Sequence, residues 1–319
     1  MITDLKCTRV LVTGISGFIG SHLARALVKR GVEVHGMVRP GSSLWRIKDI
    51  EGRIQLHSAD LTDSKAVSHV VSGVKPQKLF HLAACVDVSR SLAVMEEMVR
   101  VNVQGTLTLV NAAAEAGFDC FINSGTCEEY GDNPVPFRED QLPNPVSPYS
   151  AAKVASTVFC QMLHKTKGLP IITLRPFLTY GPDQENDMLI PWLIKSAARG
   201  ETLKMTEGKQ TREFNYVEDI VDGFIRASVC PGAVGEVINI GNGREYAIRE
   251  VAEMVLRLMK SRSQPEFGAL SYRPGETMHF YCDNTKAREI LGWQAKVGLD
   301  DGLKKTIDWF QKHHQENRT

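Results

Sequence analysis

Through the first half of the chain, short apolar runs alternate with longer stretches in which apolar residues recur at helical spacing. A strand buried on both faces needs no polar positions, and a covering helix needs one apolar stripe. The alternation therefore predicts a parallel sheet covered by helices. The run TRVLVTG (8–14) predicts a strand, FIGSHLARALVKRG (18–31) a helix closing at Gly31, and VEVHGMV (32–38) a second strand. The rhythm continues through IQLHSADL, AVSHVVSGV, KLFHLAA, a long helix near 94–117, CFINSGT, a helix after Ser147-Pro148, and PIITLRP. Together these predict a doubly wound α/β domain over residues 1–176.

After Pro176 the rhythm loosens. PDQENDMLIPWLIKSAARGETLKM mixes prolines and polar turns around one helix, whereas FNYVEDIVDGFIRAS and EVINIGNGREYAIREVAEMVLRLM restore strand-and-helix patterning. NTKAREILGW and LDDGLKKTIDWFQKHH predict two more helices, and His313 to Thr319 a frayed end. The expectation is a smaller, partly interleaved region over 177–319 that mainly binds substrate, with segments near 212–260 returning to the first domain.

Composition narrows the function classes. A length of 319 residues buries a full core without disulfide staples. A formal net charge of +1 gives no concentrated basic face, so neither nucleic acid nor an anionic membrane is an expected partner. The seven cysteines include no C-x-x-C pair and the nine histidines complete no zinc set, so no metal is expected and the thiols suit a reduced compartment. MITDLKCTRVLVTG runs directly into the first strand, with no signal-peptide pattern and no bilayer-length apolar run. A cytoplasmic protein is the expectation.

VTGISGFIG sets Gly14, Gly17 and Gly20 between the first strand and the first helix, which Phe18 and Ile19 open. Glycines there permit a tight turn and close backbone approach to a pyrophosphate at the helix N-terminus. The spacing is G-x-x-G-x-x-G rather than G-x-G-x-x-G. Where an acid would hold the ribose of NAD, the second strand ends in Arg39, with Ser42 and Ser43 close behind. A guanidinium at that place favours the extra phosphate of NADP, NAD being the alternative. Asp60 and Leu61 suit an adenine-contacting position; Asp60 as the cap of the helix TDSKAVSHVV accounts for it equally well.

SPYSAAK puts Tyr149 and Lys153 at i and i+4, on one helix face. An ammonium beside a phenol favours the phenolate, so Lys153 is expected to lower the pKa of Tyr149 and fit it to trade a proton with a sugar hydroxyl. A hydroxyl at Thr126 completes the constellation. The chain resembles the extended short-chain dehydrogenases/reductases of the nucleotide-sugar epimerase/dehydratase group. The likeness runs nearly end to end, through TGISGFIG, FHLAA (80–84), NVQGT (102–106), TCEEYG, SPYSAAK, LRPFLTYGP (174–182), REFNYVEDIVDG (212–223), NIGNG (239–243) and RPGE (273–276).

The resemblance implies a Rossmann-type fold in which Leu82, Ala83, Ala84, Asn102, Ser124 and Pro176 join the glycine turn around the cofactor, with Tyr149 and Lys153 reaching it. It makes Thr126, Tyr149 and Lys153 the catalytic hydroxyl, base and lysine, and puts Arg212 and Arg273 on a substrate diphosphate. Asn186 and the following MLIP resemble a loop over the nucleotide, and a homodimer through the helices near 94–117 and 149–167 is implied as well. Two arginines on separate loops also suit a diphosphate by their own chemistry, although a surface ion pair is the plainer fate of either. Phe177, Tyr180 and Trp192 either stack on a base or sugar or, as is commoner, pack in the core.

TCEEYG separates the possible reactions. Members that only epimerise resemble one another in having small or unreactive residues after the Ser or Thr. The 4,6-dehydratases have Thr-Asp-Glu or Thr-Ser-Glu, whose Glu removes the C5 proton once C4 is a ketone. Thr126-Cys127-Glu128 is similar to the second group, with Glu128 as base. Cys127 either protonates the leaving C6 hydroxyl, holds a water, or fills buried space. Glu129 is expected to be a solvated loop acid. EEYG also resembles 4-keto-6-deoxyhexose reductases that use NADPH, a reading Arg39 favours. An NDP-hexose 4,6-dehydratase is thus the leading expectation, ahead of an NADPH-dependent 4-ketoreductase and a 4-epimerase.

Overall fold

In the computed structural model, which describes residues 5–316 except positions 88, 90 and 274, the predicted alternation becomes a seven-stranded parallel sheet. Six of its strands are β1 (Arg9–Thr13), β2 (Glu33–Val38), β3 (Gln55–Ser58), β4 (Lys78–His81), β5 (Cys120–Ser124) and β6 (Ile171–Pro176). They lie in the order β3-β2-β1-β4-β5-β6, and a seventh strand from later in the chain extends the β6 edge. The order reverses between β1 and β4, so the connections there splay and open a crevice at the carboxyl ends.

The helices between these strands are α1 (Phe18–Lys29), α2 (Ser64–Val74), α3 (Met95–Met98), α4 (Gly105–Ala116) and α5 (Pro148–Lys167). Strand β1 shows why its sequence is continuously apolar. Val10 and Val12 belong to the core cluster under α1, and Leu11 to the cluster under α2 and α4. Each such fully buried side chain stabilises the fold by about 1.5–3 kcal/mol.

Two local expectations are corrected. Asp63, not Asp60, caps α2, accepting the Lys65 and Ala66 N–H groups at 3.0 Å each. Asp60 sits one turn too early and instead accepts the Thr62 N–H at 2.8 Å and the Thr62 hydroxyl at 2.7 Å, forming a small side-chain-closed turn. The long helix near 94–117 is composite: a π turn at Val99–Gln104 joins α3 to α4. Within it the Asn102 carbonyl accepts the hydroxyls of Thr106 and Ser156, both at 2.6 Å, an arrangement that perturbs the regular ladder.

Beyond Pro176 lie α6 (Leu189–Arg199), α7 (Val217–Ser228), α8 (Ile248–Met259), α9 (Thr285–Leu291) and α10 (Leu299–Glu316). The strands there are β7 (Thr179–Tyr180), β8 (Leu203–Met205), β9 (Thr211–Glu213), β10 (Asn215–Tyr216), β11 (Val237–Ile240), β12 (Glu245–Ala247) and β13 (Pro265–Phe267). Strand β11 is the seventh strand of the main sheet, and α7 packs on α1. The others form the pairs β7–β10, β8–β13 and β9–β12. Residues such as Leu193, Val251 and Leu303 of α6, α8 and α10 share a separate core with them. Of the end expected to fray, residues 313–316 continue α10 and residues 317–319 lie outside the described residues. Among the described residues no helix is long and apolar enough to cross a membrane.

Candidate active site

At the carboxyl end of β1 the chain turns through Gly14 to Gly20 onto the N-terminus of α1. Gly14 has φ +70°, and a Cβ there would lie 2.7 Å from the Ala83 nitrogen. One on Gly20 would lie 2.1 Å from the Gly14 carbonyl oxygen. Helix α1 starts without a side-chain cap, leaving the N–H groups of its first turn available to an anion.

The turn borders a cavity of about 520 Å³ lined by Gly14, Gly17, Phe18, Ile19, Gly20, Arg39, Ser42, Asp60, Leu61, Leu82, Ala83, Ala84 and Ser124. All of these are residues the sequence had placed on a cofactor. Asn102 is buried behind the wall, where its side chain accepts the Cys85 N–H at 2.8 Å and donates to the Cys85 carbonyl at 2.9 Å. Pro176 sits in the sheet opposite Ile240. Among the lining residues that sequence reasoning missed are Cys85, which adjoins the quoted segment FHLAA, and Arg100, two residues before NVQGT. Thr62 donors, then Arg100 and Arg39, hold the Asp60 carboxyl below the usual range.

Beyond β5, Thr126 caps a short turn, Cys127–Tyr130, and its hydroxyl accepts the Glu128 N–H at 3.3 Å. Tyr149 and Lys153 lie near the start of α5, which is fixed by Pro148 in the first turn and by Ser147 accepting the Ser150 N–H at 3.1 Å. Helix α5 packs on the turn, which sets the Tyr149 phenol near enough to the Thr126 hydroxyl to feel it. The Lys153 ammonium donates to the Ser124 carbonyl, and Ser124 itself lines the cavity. The structure thus gathers the three catalytic candidates beside Ser124 at the edge of the cavity, whose lining includes Ser124 but none of the three.

The expected lowering of Tyr149 by Lys153 does not appear. Burial pushes the phenol up, opposed by the neighbouring Thr126 hydroxyl and reinforced by Cys127, Glu128 and Glu129. Lys153 points at Ser124, and burial lowers its own pKa against the pull of Glu129 and Cys160.

Glu128 is half-buried; burial raises its carboxyl, with Arg212 opposing. Arg212, on β9, donates to the Thr211 and Thr277 carbonyls at 2.7 and 2.8 Å and pairs with Glu276. Arg273 is exposed and enters this cluster through its carbonyl, which accepts the Glu276 N–H at 3.0 Å. The structure therefore joins Arg212 to Glu276 of the RPGE segment. Asn186 is exposed and borders a separate crevice of about 310 Å³ with Trp45, Pro191 and Trp309. Phe177 and Tyr180 are core residues, and Trp192 packs partly buried against the α6–α8–α10 core.

Cys127 is 5% exposed, in a cluster with Tyr130, Phe137, Phe177, Phe280 and Cys282. Burial raises its thiol well above the usual range, which keeps the proton on sulfur.

Glu129 overturns the expectation of a solvated acid: it is 0% exposed. One carboxylate oxygen accepts the Thr126 N–H at 2.9 Å, and the other accepts the Arg175 Nε and Nη2 at 3.0 and 2.8 Å. The turn aims Glu129 inward, where Arg175 near the end of β6 supplies the countercharge. A lone arginine in the apolar strand IITLRP was the available signal, because a buried charge requires a partner. A larger cavity, about 960 Å³, borders α1 at His22, Arg25 and Lys29 and contains none of Thr126, Tyr149 or Lys153.

The family model described as GDP-mannose 4,6 dehydratase matches residues 11–306. The UDP-glucose 4-epimerase of Mycolicibacterium smegmatis is 34% identical over 96% of this chain and 100% of its own. The dTDP-glucose 4,6-dehydratase of Haemophilus influenzae is 30% identical over 94% of this chain and 97% of its own. The structure of the Streptomyces venezuelae dTDP-glucose 4,6-dehydratase, solved with NAD bound, superposes with a TM-score of 0.87 at 28% identity, covering 97% and 98% of the two chains. The chain belongs to this family, the nucleotide-sugar epimerases and dehydratases of the extended short-chain dehydrogenase/reductase enzymes. Relatives of both reaction types match it at similar identity.

Proposed function

We propose that the protein is an NDP-hexose 4,6-dehydratase that holds NADP or NAD in the 520 Å³ cavity. The side-chain-free turn at Gly14 and Gly20 and the uncapped start of α1 fit a pyrophosphate, and Arg39 at the rim favours the additional phosphate of NADP. Bound there, the dinucleotide supplies reversible hydride acceptance from the sugar. Thr126 and Tyr149 hold the C4 hydroxyl, and Tyr149 takes its proton in the phenolate form that burial of the chain alone disfavours; Lys153, fixed on Ser124, supports that geometry. Glu128 takes the C5 proton, and the protonated Cys127 thiol lies next to it in the chain as a donor or water holder for the departing hydroxyl. Substrate diphosphate exchanges with Glu276 as the partner of Arg212, with Arg273 closing from the exposed loop.

The observation that carries the dehydratase reading is Glu128: a half-buried carboxyl, raised toward the working range of a base, two residues from Thr126. An NADPH-dependent 4-ketoreductase is the second reading, favoured by the cations Arg39 and Arg100 on the cavity rim. A homodimer through α3, α4 and α5 goes with either, supported by exposed apolar residues that include Leu92, Val99, Val158 and Met162.

Mass spectrometry of the protein incubated with UDP-, GDP-, CDP- and dTDP-hexoses tests these readings. The dehydratase reading expects loss of one water without added NADPH, and expects Glu128→Gln to abolish that loss while C4 oxidation persists. Turnover of a keto-sugar only with NADPH favours the reductase, and a new epimer of unchanged mass the epimerase. A native spectrum of the same preparation at monomer mass defeats the dimer.

A further inference from the structure

We propose that Glu129 is a positioning residue for this reaction: anchored by Arg175, its buried carboxylate fixes the main chain at Thr126 and keeps a negative charge beside Lys153 and Tyr149. The inference rests on the roles given above to Thr126, Tyr149 and Lys153.

The contacts of the carboxylate leave it little freedom. One oxygen is held by the Thr126 N–H at 2.9 Å and the other by two Arg175 nitrogens at 3.0 and 2.8 Å. Gly125 closes over it, since a Cβ there would lie 2.5 Å from a Glu129 oxygen. The Arg175 guanidinium lies 4.6 Å from the Tyr130 ring centroid, and the Tyr130 hydroxyl donates to Asn239 at 2.7 Å. The carboxylate therefore ties the turn after β5 to β6, and Tyr130 ties the same turn to β11.

Stability alone does not account for this pair. Two charges exposed by 0% and 4% lose their hydration, and apolar residues of the same volume commonly stabilise a core as well or better. What apolar residues cannot supply is an acceptor for the Thr126 N–H together with a negative charge at the reactive groups. The titratable groups acting on Tyr149 are Cys127, Glu128 and Glu129, all from the turn. Those acting on Lys153 are Glu129 and Cys160, and the neutral imidazole of His81 in turn feels Lys153. Glu129 is the carboxylate common to both reactive side chains, and it opposes the loss of the Lys153 charge that burial favours.

The test is Glu129→Gln, which retains an acceptor for the Thr126 N–H but removes the charge. Because this strands Arg175 in the core, the double variant Glu129→Gln/Arg175→Gln accompanies it. Tyrosine labelled at Cζ with ¹³C reports Tyr149 ionisation by NMR without any substrate, with Tyr149→Phe giving the assignment. The expected result is a fall of about one pH unit in the Tyr149 titration, with the whole pH–rate profile moving the same way, because removing a negative charge lowers every neighbouring pKa. A folded Glu129→Gln protein whose Tyr149 titration and pH limbs coincide with wild type overturns the proposal and leaves Glu129 a structural residue; so does a double variant that, with both charges gone, moves them as far as Glu129→Gln does, since restoring the local net charge should return them toward wild type. A shifted titration with no water loss from any NDP-hexose upholds the electrostatic role and defeats the dehydratase reading instead.

Discussion

The turns at the carboxyl ends of β1 and β5 lie at one crevice but are built on opposite principles. The first is held by the absence of side chains: at Gly14 and Gly20 even a methyl group would collide with backbone at 2.7 and 2.1 Å. The second is held by charge removed from water, through Glu129, Arg175 and the Lys153 ammonium. A steric turn prepares backbone N–H groups for an anion whatever the pH. An electrostatic turn sets protonation states, so its behaviour depends on every charge it buries.

His81 is bonded beside the first turn and feels Lys153 beside the second, and acid offers the largest test of the contrast. Its ring bonds Thr13 at 2.8 Å on the glycine-turn side and Thr106 at 2.9 Å on the helical side. Burial, then Lys153, lowers its pKa from 6.5 to about 3. The folded value is depressed, so between pH 6.5 and about 3 the unfolded chain binds a proton that the native chain refuses. The stability present above pH 6.5 is therefore lost as pH falls, by up to about 5 kcal/mol from this group. Urea unfolding at pH 7 and pH 4 of wild type and His81→Gln checks this. Equal acid losses in both proteins would show that the acid loss does not come from His81.

Gly20→Ala is the next largest effect and should strike the first turn alone. Forcing a methyl group against the Gly14 carbonyl should cost about 3 kcal/mol and abolish cofactor retention. Calorimetry and the nicotinamide absorbance of the purified protein measure the two losses. Retained cofactor in Gly20→Ala would mean that the turn yields, and that the contrast between a steric and an electrostatic turn is overdrawn.

The same contrast explains what was legible in the sequence. Strands covered on both faces must be apolar and the covering helices must be striped, so β1 to β6 and the alternation with helices followed from local pattern. The glycine turn was equally plain, because a prohibition on side chains is written at the positions where it acts. Glu129 was misread because its role depends on Arg175, 46 residues away in another strand. Asp60 was misread as a possible cap because a short acid before a helix signals capping without fixing which acid does it; Asp63 stands nearer the first turn. The Arg212–Glu276 pair, 64 residues apart, was unreadable for the same reason as Glu129.

Arg39 sharpens the comparison most finely, since it brings charge to the rim of the steric turn but leaves that charge in water. It is exposed at the end of β2 and lines the cavity with Arg100. A charge-assisted contact to the additional phosphate of NADP contributes about 1.5–3 kcal/mol when well formed, and less where solvent and salt screen it. Arg39→Ala should therefore weaken NADPH about tenfold while leaving NADH within about twofold, because the turn at Gly14 to Gly20 proposed to hold their common pyrophosphate is unchanged. Titrating the nicotinamide fluorescence of each reduced cofactor at low and high salt gives both affinities. The NADPH advantage should shrink as salt rises, whereas the shared affinity should fall less, because the N–H groups of α1 act at contact distance. A ratio unmoved by Arg39→Ala would shift the choice between the two cofactors to Arg100. A parallel loss for both cofactors would instead show Arg39 supporting the turn itself, and the boundary between steric and electrostatic regions would then run through this arginine.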